Sequence, residues 1–258
     1  MNKQPEFYVG YQAKSPPGLA RRTRIVVVSL LFAAVAVALS VLMLEKPFEP
    51  GVFEFGVVKE FEGILRANPI PMLLEAEVLG DTTPSTPTSE FLLVSPGKRT
   101  ALPLVEGFDG QRVHLEGSLI YRNQIAMIEV RPESVRSSQI ETLRPFSLPD
   151  STTVGDGELA GEIVDAKCFL GVMKPGREKT HRSCAARCIS GGIPPLLATS
   201  TVDGEEIFYL LLDSNGSAVN DRVLDFVAEP VAIRGEIRKQ GRHLYLLADL
   251  ESIRRTSE

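Results

Sequence analysis

Two stretches that repeat each other decide the fold: Val113-His114-Leu115-Glu116-Gly117-Ser118-Leu119-Ile120 and Val231-Ala232-Ile233-Arg234-Gly235-Glu236-Ile237-Arg238. In each, apolar residues alternate with polar ones, the period of a strand with one buried face. Each carries a glycine at the same place inside the strand, where glycine marks a bulge or a sharp coil of the sheet. Each then runs through a short polar turn, Arg122-Asn123-Gln124 or Lys239-Gln240-Gly241-Arg242, into another apolar strand, IAMIEV or LYLLADL. This is one hairpin signature written twice.

The repetition continues outward from these hairpins. Glu60-Phe61-Glu62-Gly63-Ile64-Leu65 resembles Glu158-Leu159-Ala160-Gly161-Glu162-Ile163, and Ile70-Pro71-Met72-Leu73-Leu74 resembles Ile193-Pro194-Pro195-Leu196-Leu197. Phe91-Leu92-Leu93-Val94 answers Phe208-Tyr209-Leu210-Leu211. Such self-similarity identifies a duplicated module. About five short strands with a central glycine and a final hairpin suit a small closed barrel of the OB type. No long segment beyond residue 44 keeps a 3.6-residue period, so a helical fold is excluded. The expected architecture is mainly β, with two tandem OB-like barrels over residues 52–144 and 158–255. Pro145 to Gly157, PFSLPDSTTVGDG, has the composition of a linker between them. Asp81 to Glu90, rich in Pro, Ser and Thr, reads as a loop within the first module.

Ahead of the modules, Ile25 to Leu44 reads IVVVSLLFAAVAVALSVLML, without charge, Pro or Gly. As a helix it is about 30 Å long, the thickness of a bilayer core. A buried globular helix would keep a polar stripe, and a cleaved signal peptide would have a shorter core and a small-residue cleavage site. Met43-Leu44-Glu45-Lys46-Pro47 offers no such site, so the segment reads as a retained single-pass anchor. Arg21-Arg22 is not a twin-arginine signal, because Arg24 stands where an apolar residue is required. Residues 1–24 carry Lys3, Lys14, Arg21, Arg22 and Arg24 against Glu6, which places this tail in the cytoplasm by the positive-inside rule. The barrels then lie outside, in the periplasm of a bacterium with an inner membrane. Phe7, Tyr8 and Tyr11 in the tail suit an interfacial belt or a docking site for a membrane partner.

The offset between the repeats is not constant. Gly63 to Gly161 is 98 residues and Gly117 to Gly235 is 118, so the second module carries about twenty more. That insertion holds all three cysteines, Cys168, Cys184 and Cys188, together with His181. A helix from an N-cap at Thr180 to a C′ residue at Gly191 is expected. At about 100° per residue it would set His181, Cys184 and Cys188 within an arc of about 60°. Asp165 and Cys168, from the preceding strand end, could close over that face.

Four readings of the insertion stay open. A structural disulfide is natural outside the cytoplasm and would join Cys168 to one helical cysteine, leaving a thiol over. Cys168, His181, Cys184 and Cys188 could instead ligate zinc, copper or iron, although C-x12-H-x2-C-x3-C lacks a zinc knuckle. Covalent c-type haem is excluded, since C-x-x-C-H is absent. The surrounding Lys167, Lys174, Arg177, Lys179, Arg182 and Arg187 would favour a reactive thiolate, but the C-x-x-C of thioredoxin-type enzymes is missing. The same basic loop could hold an anion or an acidic partner.

Nothing else in the chain points to catalysis. No G-x-S-x-G, H-E-x-x-H, P-loop or dinucleotide fingerprint occurs, and His114 and His243 read as ordinary strand residues. A net charge of −5, no Trp and no aromatic cluster exclude a nucleic-acid groove on the barrels. No small-molecule substrate is identified.

The segment D-A-K-C followed by H-R-S-C-A-A-R-C-I-S-G-G-I-P-P resembles the signature of a group of exported bacterial proteins. In that group D-x2-C, then H-x2-C-x3-C and a glycine, precede OB-like strands; Asp165, Cys168, His181, Cys184, Cys188 and Gly192 match. The resemblance spans roughly residues 158–252 and implies the module and its cysteines, not an activity. The overall layout is similar to membrane-anchored OB-fold haem chaperones of cytochrome c maturation. Their H-x3-Y motif is absent, because His243-Leu244-Tyr245 has the wrong spacing. The expected role is an accessory or assembly subunit of a membrane complex, such as an electron-transfer assembly, carrying a Cys/His metal or redox site. The alternatives are a tethered thiol–disulfide oxidoreductase and an interaction protein with one structural disulfide.

Overall fold

A computed structural model describes residues 14–44, 50–75, 87, 89–138 and 150–256. Helix α1 (Pro17–Leu44) is long and apolar enough to cross a membrane, and no residue of it is buried. Proline at its first position costs no hydrogen bond there, so the helix starts well before the apolar run. The tail aromatics Phe7, Tyr8 and Tyr11 lie outside the described residues.

Residues 49–258 form one compact unit. Its strands are β1 (Val52–Phe53), β2 (Lys59–Arg66), β3 (Met72–Glu75), β4 (Ser89–Ser95), β5 (Arg99–Thr100), β6 (Arg112–Arg122), β7 (Ile125–Val130) and β8 (Arg136–Ser137) in the first half. The second half has β9 (Ser151–Asp165), β10 (Pro195–Ser200), β11 (Glu206–Asp213), β12 (Pro230–Gln240) and β13 (His243–Arg255). Among the described residues, short helical segments join them, including the α-helices α2 (Leu102–Val105) and α3 (Arg182–Ser190).

Five strands of each half close into a barrel. The rings run β2-β3-β4-β7-β6 and β9-β10-β11-β13-β12, each returning to its first strand. In both, the third strand pairs parallel with the fifth, β4 with β7 and β11 with β13, and every other contact is antiparallel. Connectivity and strand direction are therefore the same in the two copies, as the sequence repeat requires.

The repeated glycines have one physical reason. A Cβ at Gly63 would stand 2.5 Å from the Leu74 carbonyl oxygen on β3, and one at Gly161 would stand 2.4 Å from that of Ala198 on β10. Gly117 and Gly235 meet the carbonyls of Glu129 and Leu247 at 2.5 and 2.4 Å. Backbones coil this tightly only where no side chain intervenes.

Each barrel has its own interior, Leu73, Leu93 and Ile128 in the first and Leu197, Leu211 and Leu246 in the second. Their immediate neighbours Met72, Leu92 and Met127, and Leu196, Leu210 and Tyr245, point the other way and meet in one shared core between the barrels. This accounts for the unbroken apolar runs FLLV and FYLL, since strands buried on both faces lose the polar alternation. The two modules are thus fused through side chains, not merely strung together.

The segment expected as a linker differs from that reading. Residues 139–149 lie outside the described residues, but Ser151 to Gly157 extend β9 and pair with β12 from Gly235 to Gln240. The backbone-to-backbone ladder to a long partner strand, with Thr152, Thr153 and Val154 favouring extended structure, outweighs the linker-like composition. The expected loop Asp81–Glu90 lies largely outside the described residues, and its last two residues, Ser89 and Glu90, begin β4.

A candidate three-thiol site at the junction of the barrels

Strand β9 ends at Asp165, and the chain then makes one wide helical turn, Cys168–Val172, before a loop leads to α3. Asp165 is fully buried; its Oδ1 accepts the Cys168 backbone N–H at 2.8 Å and its Oδ2 lies 3.1 Å from His181 Nε2. This pair pins the start of the turn to the start of α3. The helix begins at Arg182, one residue later than a Thr180 cap would give, because His181 stands at the cap position with its ring turned inward to Asp165. At the other end Gly191 N–H closes onto the Arg187 and Cys188 carbonyls.

The three cysteines come together. Cys168 Sγ is 3.9 Å from both Cys184 Sγ and Cys188 Sγ, and all three sulfurs lie within 4.8 Å of one another. None is in a disulfide, whose sulfurs would stand about 2.05 Å apart. Cys168 and Cys188 are buried, and Cys184 is partly exposed. His181 does not join this triangle; it groups with Asp165 and Cys168, and Asp165 also interacts with Cys188. The expected four-ligand set therefore resolves into three sulfurs, backed by an Asp165–His181 pair on the Cys168 side.

The thiols divide the proton unequally. Donation of a hydrogen bond to Cys188, then burial and the nearby Asp165 charge, push the Cys168 thiol far up. The same hydrogen bond, helped by Lys98, pulls Cys188 down against burial and Asp165. Of the two buried thiols, Cys188 is therefore the more readily ionised.

Lys98, from the β4–β5 turn of the first barrel, reaches this site. Its Nζ stands 2.8 Å from Cys184 Sγ, and that hydrogen bond raises its own pKa. Sequence reading missed it, because Pro96-Gly97-Lys98 looks like any polar hairpin turn and nothing local marks its lysine. The turn is held down from the second barrel. Lys167 is buried, donates to the Ser95 and Gly97 carbonyls at 2.8 and 2.7 Å, and pairs with Glu129. Thr100 N–H donates to Gly191 O at 2.9 Å, and a Cβ on Gly191 would strike the Lys98 carbonyl at 1.9 Å. The insertion is at once the thiol site and a clasp between the modules.

A second clasp is Arg122. Its guanidinium donates to Glu206 through Nε at 3.0 Å and through Nη2 to both carboxylate oxygens at 2.7 Å, and to the Phe169 carbonyl at 3.1 Å, and lies 4.1 Å from the Phe169 ring. The surplus of basic residues in the insertion is largely spent on such pairs, Lys167 on Glu129, Arg177 on Glu206 and Arg182 on Glu229. That weakens the anion-binding reading. Of the other histidines, His114 pairs with Glu60 at 3.4 Å on the surface. His243 is buried in the joint, 3.5 Å from Glu90, with neither ring nitrogen in a good hydrogen bond.

No family model, curated protein or solved structure matches this chain. Function must be argued from the site itself.

Proposed function

We propose that the protein is a single-pass membrane protein whose barrels, on the outer side, hold a metal ion on Cys168, Cys184 and Cys188 and serve as an accessory or assembly subunit of a membrane complex. The observation that carries this reading is the sulfur triangle. Sulfurs 3.9 Å apart are too far for a disulfide, and they match the spacing of about 3.8 Å around a tetrahedral metal with bonds of 2.3 Å. Soft thiolates of this kind suit zinc or cuprous copper. His181, held by Asp165, would orient the Cys168 end of the centre as an outer-shell partner. The apolar helix and the basic residues Lys14, Arg21, Arg22 and Arg24 before it support the membrane anchorage and its direction. Two fused barrels supply a rigid surface for a partner.

The test is metal content and free thiols measured together on the full-length protein, purified in detergent without chelators or reductants and then denatured. About one equivalent of metal with three thiols is expected. One thiol and no metal would mean a structural bridge and would sink the proposal. The competing reading, thiol–disulfide exchange, draws on Lys98 beside the one partly exposed thiol, Cys184. It requires Cys184→Ser to abolish reduction of a disulfide reporter, where the metal reading requires loss of bound metal.

A further inference from the structure

The coordination number follows from what surrounds the triangle. With two edges of 3.9 Å and a third no longer than 4.8 Å, its centre lies about 2.2–2.5 Å from each sulfur, close to a metal–thiolate bond of about 2.3 Å. An ion can therefore sit in the sulfur plane without moving any ligand. Zinc would need a fourth donor to complete a tetrahedron. Among the described residues, no fourth His, Cys, Asp or Glu atom lies within 4.8 Å of all three sulfurs. Asp165, whose oxygens meet the Cys168 N–H and His181 and which also interacts with Cys188, does not come within that distance of all three sulfurs. On the outer side, at Cys184, stands the Lys98 ammonium, a hydrogen-bond donor with no lone pair to give.

We infer that Cys168, Cys184 and Cys188 form a three-coordinate site for cuprous copper, and that Lys98 of the first barrel is the positioning residue that keeps a fourth ligand out. This rests on the reading of the three thiols as a metal centre. Cuprous copper is a soft ion satisfied by three thiolates, so the missing donor costs it little. Three thiolates around a singly charged ion leave a net −2 in a partly dry site, and the ammonium 2.8 Å from Cys184 offsets part of that charge. The hairpin that carries Lys98 is fastened by Lys167, next in sequence to Cys168, so ligand and cation are delivered by one piece of structure.

The experiment uses the reduced full-length protein in detergent under anaerobic conditions, given cuprous copper or zinc in separate samples. Each is competed with a chelator, bicinchoninate for copper and EDTA for zinc. The expected result is one copper per chain retained, with an X-ray absorption spectrum of three sulfurs and no nitrogen or oxygen, while zinc is stripped. Lys98→His places a fourth donor on the same hairpin and should raise zinc affinity at least tenfold. Zinc held by the unmodified protein with a fourth ligand, or no zinc gain in Lys98→His, would overturn the inference and leave the metal-centre reading standing. Neither metal retained would overturn both. The copper spectrum is taken on the unmodified chain, so the inference stays testable even if the variant fails to fold.

Discussion

Replacing Arg122 with Met puts the joint between the barrels to a quantitative test. The guanidinium is 2% exposed, and the methionine fills much of the space of its stem, so the cavity created is small. The cost lies in the polar groups left behind. Removing one partner of a buried ion pair costs about 3–5 kcal/mol. Glu206 is 20% exposed and keeps Arg177 at 3.2 Å, which places this pair at or below the lower end of that range. The stranded Phe169 carbonyl adds about 1 kcal/mol and the lost ring contact about 0.5–1 kcal/mol, not fully additively. The expected destabilisation is therefore about 3–4 kcal/mol. Urea unfolding of the full-length protein in mild detergent, followed by circular dichroism, should show a lower midpoint with an unchanged slope. Adding Glu206→Gln to Arg122→Met removes the abandoned charge and should recover about 1–2 kcal/mol. A single variant within 1 kcal/mol of the parent, or a double variant no better than the single, would refute the account of Arg122 as a buried clasp.

Three further outcomes are expected. Gly117→Ala and Gly235→Ala should each cost at least about 1–3 kcal/mol, because the new methyl meets a neighbouring carbonyl at 2.4–2.5 Å; thermal melts showing no loss would remove the close-approach explanation. Leu210→Ala, in the core common to both barrels, should cost about 2–5 kcal/mol and lower a single unfolding transition, whereas two separate transitions would contradict a fused unit. Burial, then the adjacent Arg242 charge, depress His243 to about 4, so the unfolded chain takes up a proton near pH 6.5 that the folded chain refuses. Its stabilisation is complete above about pH 6.5 and is lost as pH falls toward 4, about 3 kcal/mol in all. Glu90, raised by burial, acts in the opposite sense: its contribution is present at low pH and fades as pH rises. His243→Leu should flatten the urea midpoint between pH 6.5 and 4, and an unchanged slope would show that His243 is not its source.

The duplicated hairpins announced both barrels, because alternation and a fixed glycine are local properties of a strand. The turns at Asn123-Gln124 and Gly241-Arg242 fell where the polar residues stood, for the same reason. The shared core was also written in the chain, in the unbroken FLLV and FYLL, though a run of four apolar residues does not say what covers its second face. Three cysteines and a histidine marked the site, and helical spacing grouped Cys184 with Cys188. Spacing could not foresee that His181 turns to Asp165, since a cap residue's ring direction is set by what is buried beside it. Lys98 and Arg122 were illegible, because each acts across the joint on a partner more than 40 residues away. Ser151 to Gly157 looked like a linker because small polar residues suit both a loop and an exposed edge, and only the partner strand β12 decides between them.

The joint also sets a timetable for biosynthesis. The first barrel is complete once Val130 has emerged, yet Tyr245, which covers part of its outer apolar face, follows more than 100 residues later. At about 5–20 residues per second, Met72, Leu92 and Met127 wait uncovered for something on the order of ten seconds. By then the nascent chain has presented two apolar surfaces in succession, helix α1 and then an unfinished half-joint. The first is long and apolar enough to cross a membrane. The second is the point in the life of this protein at which a holding chaperone would have most to protect.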